Sequence, residues 1–285
     1  MKHTTVITAL MMSMGLVSTA SAQSAFSGSI TASSMSSSVY SSDDSAVWKT
    51  FGGYTYEGFV QGELAGFDVM ADFSGLQRNI GGTNNWFREA PEKSSVLGLH
   101  IGRNFGSTYV GGFAAVGQQQ RTRPFSEFGN MIPGTVFGLE AAFNAGPATL
   151  FGQIGNMDWS EDPTDPTPDN SFIGQIYRAG ASMDINDRLN VMFDIESGLS
   201  PNGFEDFGDW GQYVVAGVEV SYAFTDSASV VVGYESGTFT ANTEDYGREQ
   251  NLTLGLRMSF GGAGTNVLKT PGQGFAAAGW AATTD

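Results

Sequence analysis

The side chains with chemistry to offer are mostly carboxylates, and they recur at every second position of segments whose other face is apolar. Glu57, Glu63, Asp68, Asp72, Glu140, Asp184, Asp194, Glu196, Glu219 and Glu235 all fall in this polar phase. Arg178, Arg257 and His100 share it. Ten acids against two fixed cations cannot pair completely. Enclosed by a wall of low dielectric, such a set focuses a negative potential and concentrates cations. The competing arrangement is a hydrogen-bonded plug of the same carboxylates and arginines, with water or ions compensating the unpaired acids. Glu57, Glu63, Asp68 and Asp72 belong to two segments joined at Ala65-Gly66, so they are expected to share one sector.

Other chemistry is sparsely supplied. His100 lies in Leu97-Gly98-Leu99-His100-Ile101-Gly102, and no serine or acid stands at a spacing that marks a nucleophile and its base. It is read as a member of a polar network, and no enzymatic activity is expected. The chain has no cysteine, which excludes disulfides, thiol nucleophiles and thiolate metal sites. The stretch from Asp158 to Asp169 holds five acids in twelve residues, an oxygen-rich composition that suits Ca²⁺ or Mg²⁺. It lacks the glycine of an EF-hand turn and is read as a solvated loop. No metal and no cofactor are expected.

The elements that position these groups have a period of two. Tyr54, Tyr56, Val60 and Leu64 alternate with Thr55, Glu57, Gln61 and Glu63; Leu189, Val191, Phe193 and Ile195 alternate with Asn190, Met192, Asp194 and Glu196. That is the pattern of strands with one polar and one apolar face. The segments run ten residues or more, whereas strands of globular proteins average five or six. A tilted strand needs about 9–11 residues to cross a bilayer. Tight turns at 65–66, 105–107, 144–147, 186–188 and 225–227 alternate with long polar stretches at about 77–94, 121–133, 159–170, 200–210 and 241–249. Ten strands follow, at about 54–65, 67–76, 95–105, 107–120, 134–145, 147–158, 171–185, 189–199, 211–224 and 228–240, with a closing strand at 249–260. An opening strand at 25–34, followed by a Ser-rich loop to Gly53, makes twelve. Without it the required even count falls to ten.

The ends of the chain and its charge set the location. A basic start at Lys2, an apolar run from Thr5 to Ser18 and the small residues Ala20-Ser21-Ala22 form a secretory signal peptide over 1–22. No other run approaches the ~18 apolar residues of a membrane helix. Removal of the signal leaves 12 basic residues against 29 acidic, a formal −17. That balance excludes nucleic acid as a partner and disfavours anionic lipid headgroups. The 39 glycines and 35 aromatics point to an all-β chain.

The segment 251–260, with Leu252, Leu254, Leu256, Met258 and a terminal Phe260, resembles the closing strand of bacterial outer-membrane β-barrel proteins, the porins and their small relatives. The likeness spans about residues 23–260. It implies a closed, antiparallel, up-and-down transmembrane barrel in the outer membrane, embedded in lipid and delivered by the barrel-assembly machinery, which reads that last strand. Some members of that family are histidine-dependent lipid A deacylases or proteases. The deacylase pattern places a serine two residues after the histidine, where this chain has Gly102. The family's terminal aromatic is usually the last residue, whereas 25 residues follow Phe260. Residues 261–285 are expected to form a flexible Gly/Ala-rich periplasmic tail, with a fold-back into the lumen as the alternative. The functional expectation is a porin-like passive channel for small hydrophilic solutes, with an acidic, cation-preferring lumen. A structural or surface-interaction barrel without an open pore is the alternative, and a soluble all-β protein the third. The sequence assigns no oligomeric state.

Overall fold

The computed structural model describes residues 26–41, 48–79, 93–120, 131–159, 172–200, 211–241, 244–262 and 265–271. The alternating segments become twelve strands: β1 (Phe26–Ser41), β2 (Trp48–Leu64), β3 (Phe67–Asn79), β4 (Lys93–Phe105), β5 (Thr108–Gln120), β6 (Met131–Ala145), β7 (Ala148–Trp159), β8 (Phe172–Asn186), β9 (Leu189–Ser200), β10 (Gly211–Thr225), β11 (Ala228–Ala241) and β12 (Glu244–Phe260). Each pairs antiparallel with its sequence neighbours, and β1 pairs with β12 to close the barrel. The closing register sets Gly28 opposite Phe260 and Thr31 opposite Arg257. Closure leaves no unpaired edge, the condition for a sheet in hydrocarbon. The expected twelve-stranded barrel is the observed one.

The tight turns fall where expected. Ala65 and Gly66 take φ of 52° and 83°, and Gly106 and Gly146 both take 68°, the left-handed angles that two-residue hairpins require. Outside, Leu64, Phe67, Leu97, Leu99, Leu139, Phe143 and the alternate residues of β12 are exposed as an apolar belt. Inside, buried polar groups such as Thr31, Asp72, His100, Glu140, Arg178 and Arg257 share the space with Phe59, Met70, Phe113, Phe151 and Met192. The interior is therefore partly filled with apolar bulk.

Three expectations are corrected. The Ser-rich stretch after residue 34 is not a loop: β1 continues to Ser41 and β2 begins at Trp48. Serine is carried there by cross-strand bonds, with Ser34 Oγ donating to the Leu254 carbonyl at 3.2 Å and Ser38 bonded to Thr50 at 3.1 Å. β3 likewise runs through Arg78, beyond the expected boundary. Third, the flexible periplasmic tail expected over 261–285 gives way at 265–271 to a segment inside the barrel. Gly261 and Gly262, at φ of 65° and 73°, lead out of β12, and the backbone of Val267 and Thr270 reaches buried Arg178 and Asp72 on the lumen wall. The segment 1–22, the acidic stretch beyond Trp159 and residues 272–285 lie outside the described residues.

Candidate functional site

The most connected cluster in the lumen is built on β3, β4 and β6. Alternation points Asp72, His100 and Glu140 inward, and register brings them together: Asp72 is opposite Gly98 on β4, and Glu140 is opposite Gly111 on β5. His100 is 1% exposed. Its Nδ1 lies 2.8 Å from Glu140 Oε2, and its Nε2 lies 3.2 Å from both Asp72 Oδ1 and Thr270 Oγ1. The ring stacks on Phe113, with centroids 5.9 Å apart. Glu140 also accepts from Tyr109 OH at 3.0 Å and Gln153 Nε2 at 3.0 Å. Asp72 accepts from the Thr270 amide and the Thr270 hydroxyl, each at 2.7 Å. Thr270, His100 and Glu140 thus stand in hydroxyl–imidazole–carboxylate order. The hydroxyl is engaged by Asp72, however, and Thr270 is 2% exposed. The arrangement is a docking cluster for the C-terminal segment, with no space beside the hydroxyl for a substrate.

Gly98 makes that docking possible. A Cβ there would stand 1.9 Å from Thr270 Oγ1 and 2.1 Å from Asp72 Oδ1. Across the lumen, Arg178 on β8 fastens the same segment by its backbone. Its Nη1 donates to the carbonyls of Val267 at 3.0 Å and Lys269 at 3.2 Å, and to Gln153 Oε1 at 2.9 Å. Its Nε donates to Asp194 at 2.8 Å, and the guanidinium lies 4.8 Å from the centre of the Phe151 ring. Thr265 Oγ1 donates to Asn190 Oδ1 at 3.2 Å.

The remaining space runs along the wall formed by β9–β12 and β1–β3. A cavity of about 110 Å³ is bordered by Glu57, Asp194, Glu219, Glu235, Glu249 and Lys269. Two cavities of about 20 Å³ each adjoin it, one against Arg257 and Asn266 and one against Arg178 and Thr270, with Lys269 bordering both. Each has room for about one water. Arg257 bridges this level: Nη2 donates to Glu219 at 2.8 Å and Glu57 at 3.3 Å, and Nε to Thr31 at 3.0 Å. At the short-turn end a recess of about 470 Å³ opens, lined in part by Asp184, Arg188, Asn190, Arg257 and Thr265. Burial opposes the Lys269 charge, but the attraction of Asp194, Glu57 and Glu235 outweighs both burial and the repulsion of Arg178, and its pKa stands above the ordinary lysine value.

The acids of the β2–β3 hairpin do not form one cluster. Glu63 is exposed at the short-turn end, directly opposite a half-buried Asp68, which accepts from Asn104 at 2.8 Å. Glu57 is held by Arg257, and Asp72 by His100 and Thr270. Inward alternation places these groups at different heights, and their partners come from other strands. Asp184 is exposed near the same end and accepts from Asn190 at 2.7 Å. Glu196 is buried and accepts from Tyr213 OH at 2.9 Å. Leu252, Leu254, Leu256, Met258 and Phe260 line the outer face of β12.

Two features escape a reading of the sequence. Arg78, fully buried, pairs with Glu249, which also accepts from Asn251 at 2.7 Å. Both were assigned to loops or strand margins; extending the inward phases of β3 and β12 by one step would have found them. Lys269 could not be found this way, because no periodicity governs the segment after Phe260.

No family model matches the chain, and no curated protein matches it. Among solved structures it is similar to an outer-membrane channel from Pseudomonas putida F1, at a TM-score of 0.55 and 8% identity, over 83% of this chain and 96% of that one. It is also similar to the translocator domain of the autotransporter NalP from Neisseria meningitidis, at a TM-score of 0.47 and 14% identity, over 90% of this chain and 98% of that one. At 8% identity the first likeness concerns the fold. Closure, twelve strands, an apolar outer belt and that likeness together make this chain a protein with the fold of the bacterial outer-membrane β-barrels.

Proposed function

We propose that the protein is a narrow outer-membrane channel for small hydrophilic solutes that prefers cations. The observation that carries this reading is the cavity of about 110 Å³ bordered by Glu57, Asp194, Glu219, Glu235 and Glu249. Glu235 has no hydrogen-bond or ion-pair partner among the described residues, and it faces a space of mixed polar and apolar lining that shares Glu57, Glu219 and Lys269 with the Arg257 level below. An unpaired carboxylate inside a low-dielectric wall draws cations by field focusing. The apolar belt and the outward alternation of β12 ending in Phe260 support an outer-membrane location, a lipid environment and delivery by the barrel-assembly machinery. The reading is non-catalytic, since both nitrogens of His100 are taken up by carboxylates.

Planar-bilayer recording under a KCl gradient tests it. The expected reversal potential is that of a cation-preferring pore, and Glu235→Gln moves it toward zero while the barrel still folds. Anion selectivity, or silence of both the full chain and a chain ending at Gly262, refutes the channel. A second reading, a closed structural barrel, is favoured by one observation. The spaces at the level of Lys269 and Arg257 shrink to about 20 Å³ each.

A further inference from the structure

We propose that residues 265–271 are an autoinhibitory plug, and that the Lys269 ammonium takes the place of a permeating cation beside the carboxylate cavity. The inference rests on the channel reading above and adds its regulation. The segment lies between the recess at the short-turn end and the cavity: Thr265 borders the first, Asn266 and Lys269 the small space between, and Lys269 the second. Its fastenings are polar and replaceable by water. They are the Val267 and Lys269 carbonyls on Arg178, Thr270 on Asp72 and His100, and Thr265 on Asn190. Gly261 and Gly262, both at left-handed φ, turn the chain out of β12 ahead of it. Lys269 borders the same cavity as Asp194, Glu57 and Glu235, the carboxylates that would hold a passing cation. A tethered ammonium there both fills the passage and repels the ions it would conduct. Gly98, whose Cβ would collide with Thr270 and Asp72, leaves the notch into which the plug fits.

The test compares three forms of the whole barrel in planar bilayers with KCl as the only salt: the full chain, a chain ending at Gly262, and Lys269→Gln. Heat-modifiable gel mobility confirms folding of each. The expected result is a several-fold larger unitary conductance for the shortened chain. Lys269→Gln is expected to raise cation selectivity at full chain length, and it carries the test if the shortened chain does not fold. A second readout needs no current. The chain has no cysteine of its own, so Leu268→Cys reports on the segment alone. A membrane-impermeant maleimide is expected to label it slowly in the full barrel, and at least tenfold faster when Asp72→Asn replaces one of the two oxygens that accept from Thr270. Equal conductance of the full and shortened chains, or labelling that Asp72→Asn leaves unchanged, overturns the plug while leaving the channel standing. Silence of all three forms overturns both.

Discussion

At the residue scale, position in the network decides what each carboxylate does. Asp72 accepts two hydrogen bonds from Thr270 and a third contact from His100, so it is committed to holding the segment 265–271. Hydrogen bonds to a charged acceptor are each worth about 1.5–3 kcal/mol, or about ten- to hundred-fold in an equilibrium. Gly98→Ala attacks the same anchor sterically, because its methyl would occupy the place of the Thr270 hydroxyl. The expected outcome is a barrel that folds with its C-terminal segment released, measured as faster maleimide labelling of Leu268→Cys. Unchanged labelling would mean that the wall yields instead of the segment. Glu63 and Asp68 offer the contrast. They stand at the short-turn end, with Glu63 in solvent. Glu63→Gln with Asp68→Asn is therefore expected to shift the reversal potential less than Glu235→Gln alone. A larger shift would place the selective step at the mouth.

At the scale of the element, β12 does two jobs with its two faces. Leu252, Leu254, Leu256 and Met258 point outward, while Glu249, Asn251 and Arg257 face the lumen. A slip of one residue would exchange the faces and put Arg257 into lipid. Phe260 fixes the end of the strand: it pairs with Gly28, and a Cβ on Gly28 would stand 2.7 Å from its ring. Phe260→Ala is expected to lower the yield of heat-modifiable folded barrel by loosening the β1–β12 closure and blunting the assembly signal. Full yield would remove Phe260 from both roles. Gly28→Ala crowds the same closure and is expected to act in the same direction.

At the scale of the whole molecule, twelve strands stand between barrels that side chains fill, at about eight strands, and those that leave an aqueous channel, at about sixteen. This barrel occupies the middle by filling part of its lumen with Phe59, Met70, Phe113 and Met192 and part with its own C-terminal segment. Among the described residues, Glu57, Asp194, Glu219, Glu235 and Glu249 set the field along the remaining space, against Arg78, Arg178, Arg257 and Lys269. Selectivity from such a field is salt-dependent. At 1 M the screening length falls to ~3 Å, against ~10 Å at 0.1 M. Reversal potentials, compared at a fixed KCl ratio, are expected to shrink toward zero across that range. A selectivity unmoved by salt would point to steric sieving at Arg257 instead.

Turn residues placed the hairpins and the likeness of 251–260 to a closing strand implied closure, while alternation by itself determined the strands and the inward phase that carries the acids. This is because a strand's faces are fixed by a period of two that needs no knowledge of its neighbours. The ends of the strands were less legible: the serines at 36–41 and Arg78 read as loop and Glu249 as a strand margin, since cross-strand hydrogen bonds and ion pairs compensate their weak local preference. Which acid meets which cation was hidden altogether. Arg257 reaches Glu57 and Glu219 across 200 and 38 residues of sequence, and Asp72 meets Thr270 across 198. Those meetings depend on shear and closure, which set the height of every residue on the wall. The place of residues 265–271 was likewise decided only in three dimensions. A polar, aperiodic stretch has no face of its own to announce, and it enters the lumen because Arg178, Asp72 and the notch at Gly98 are already there to receive it.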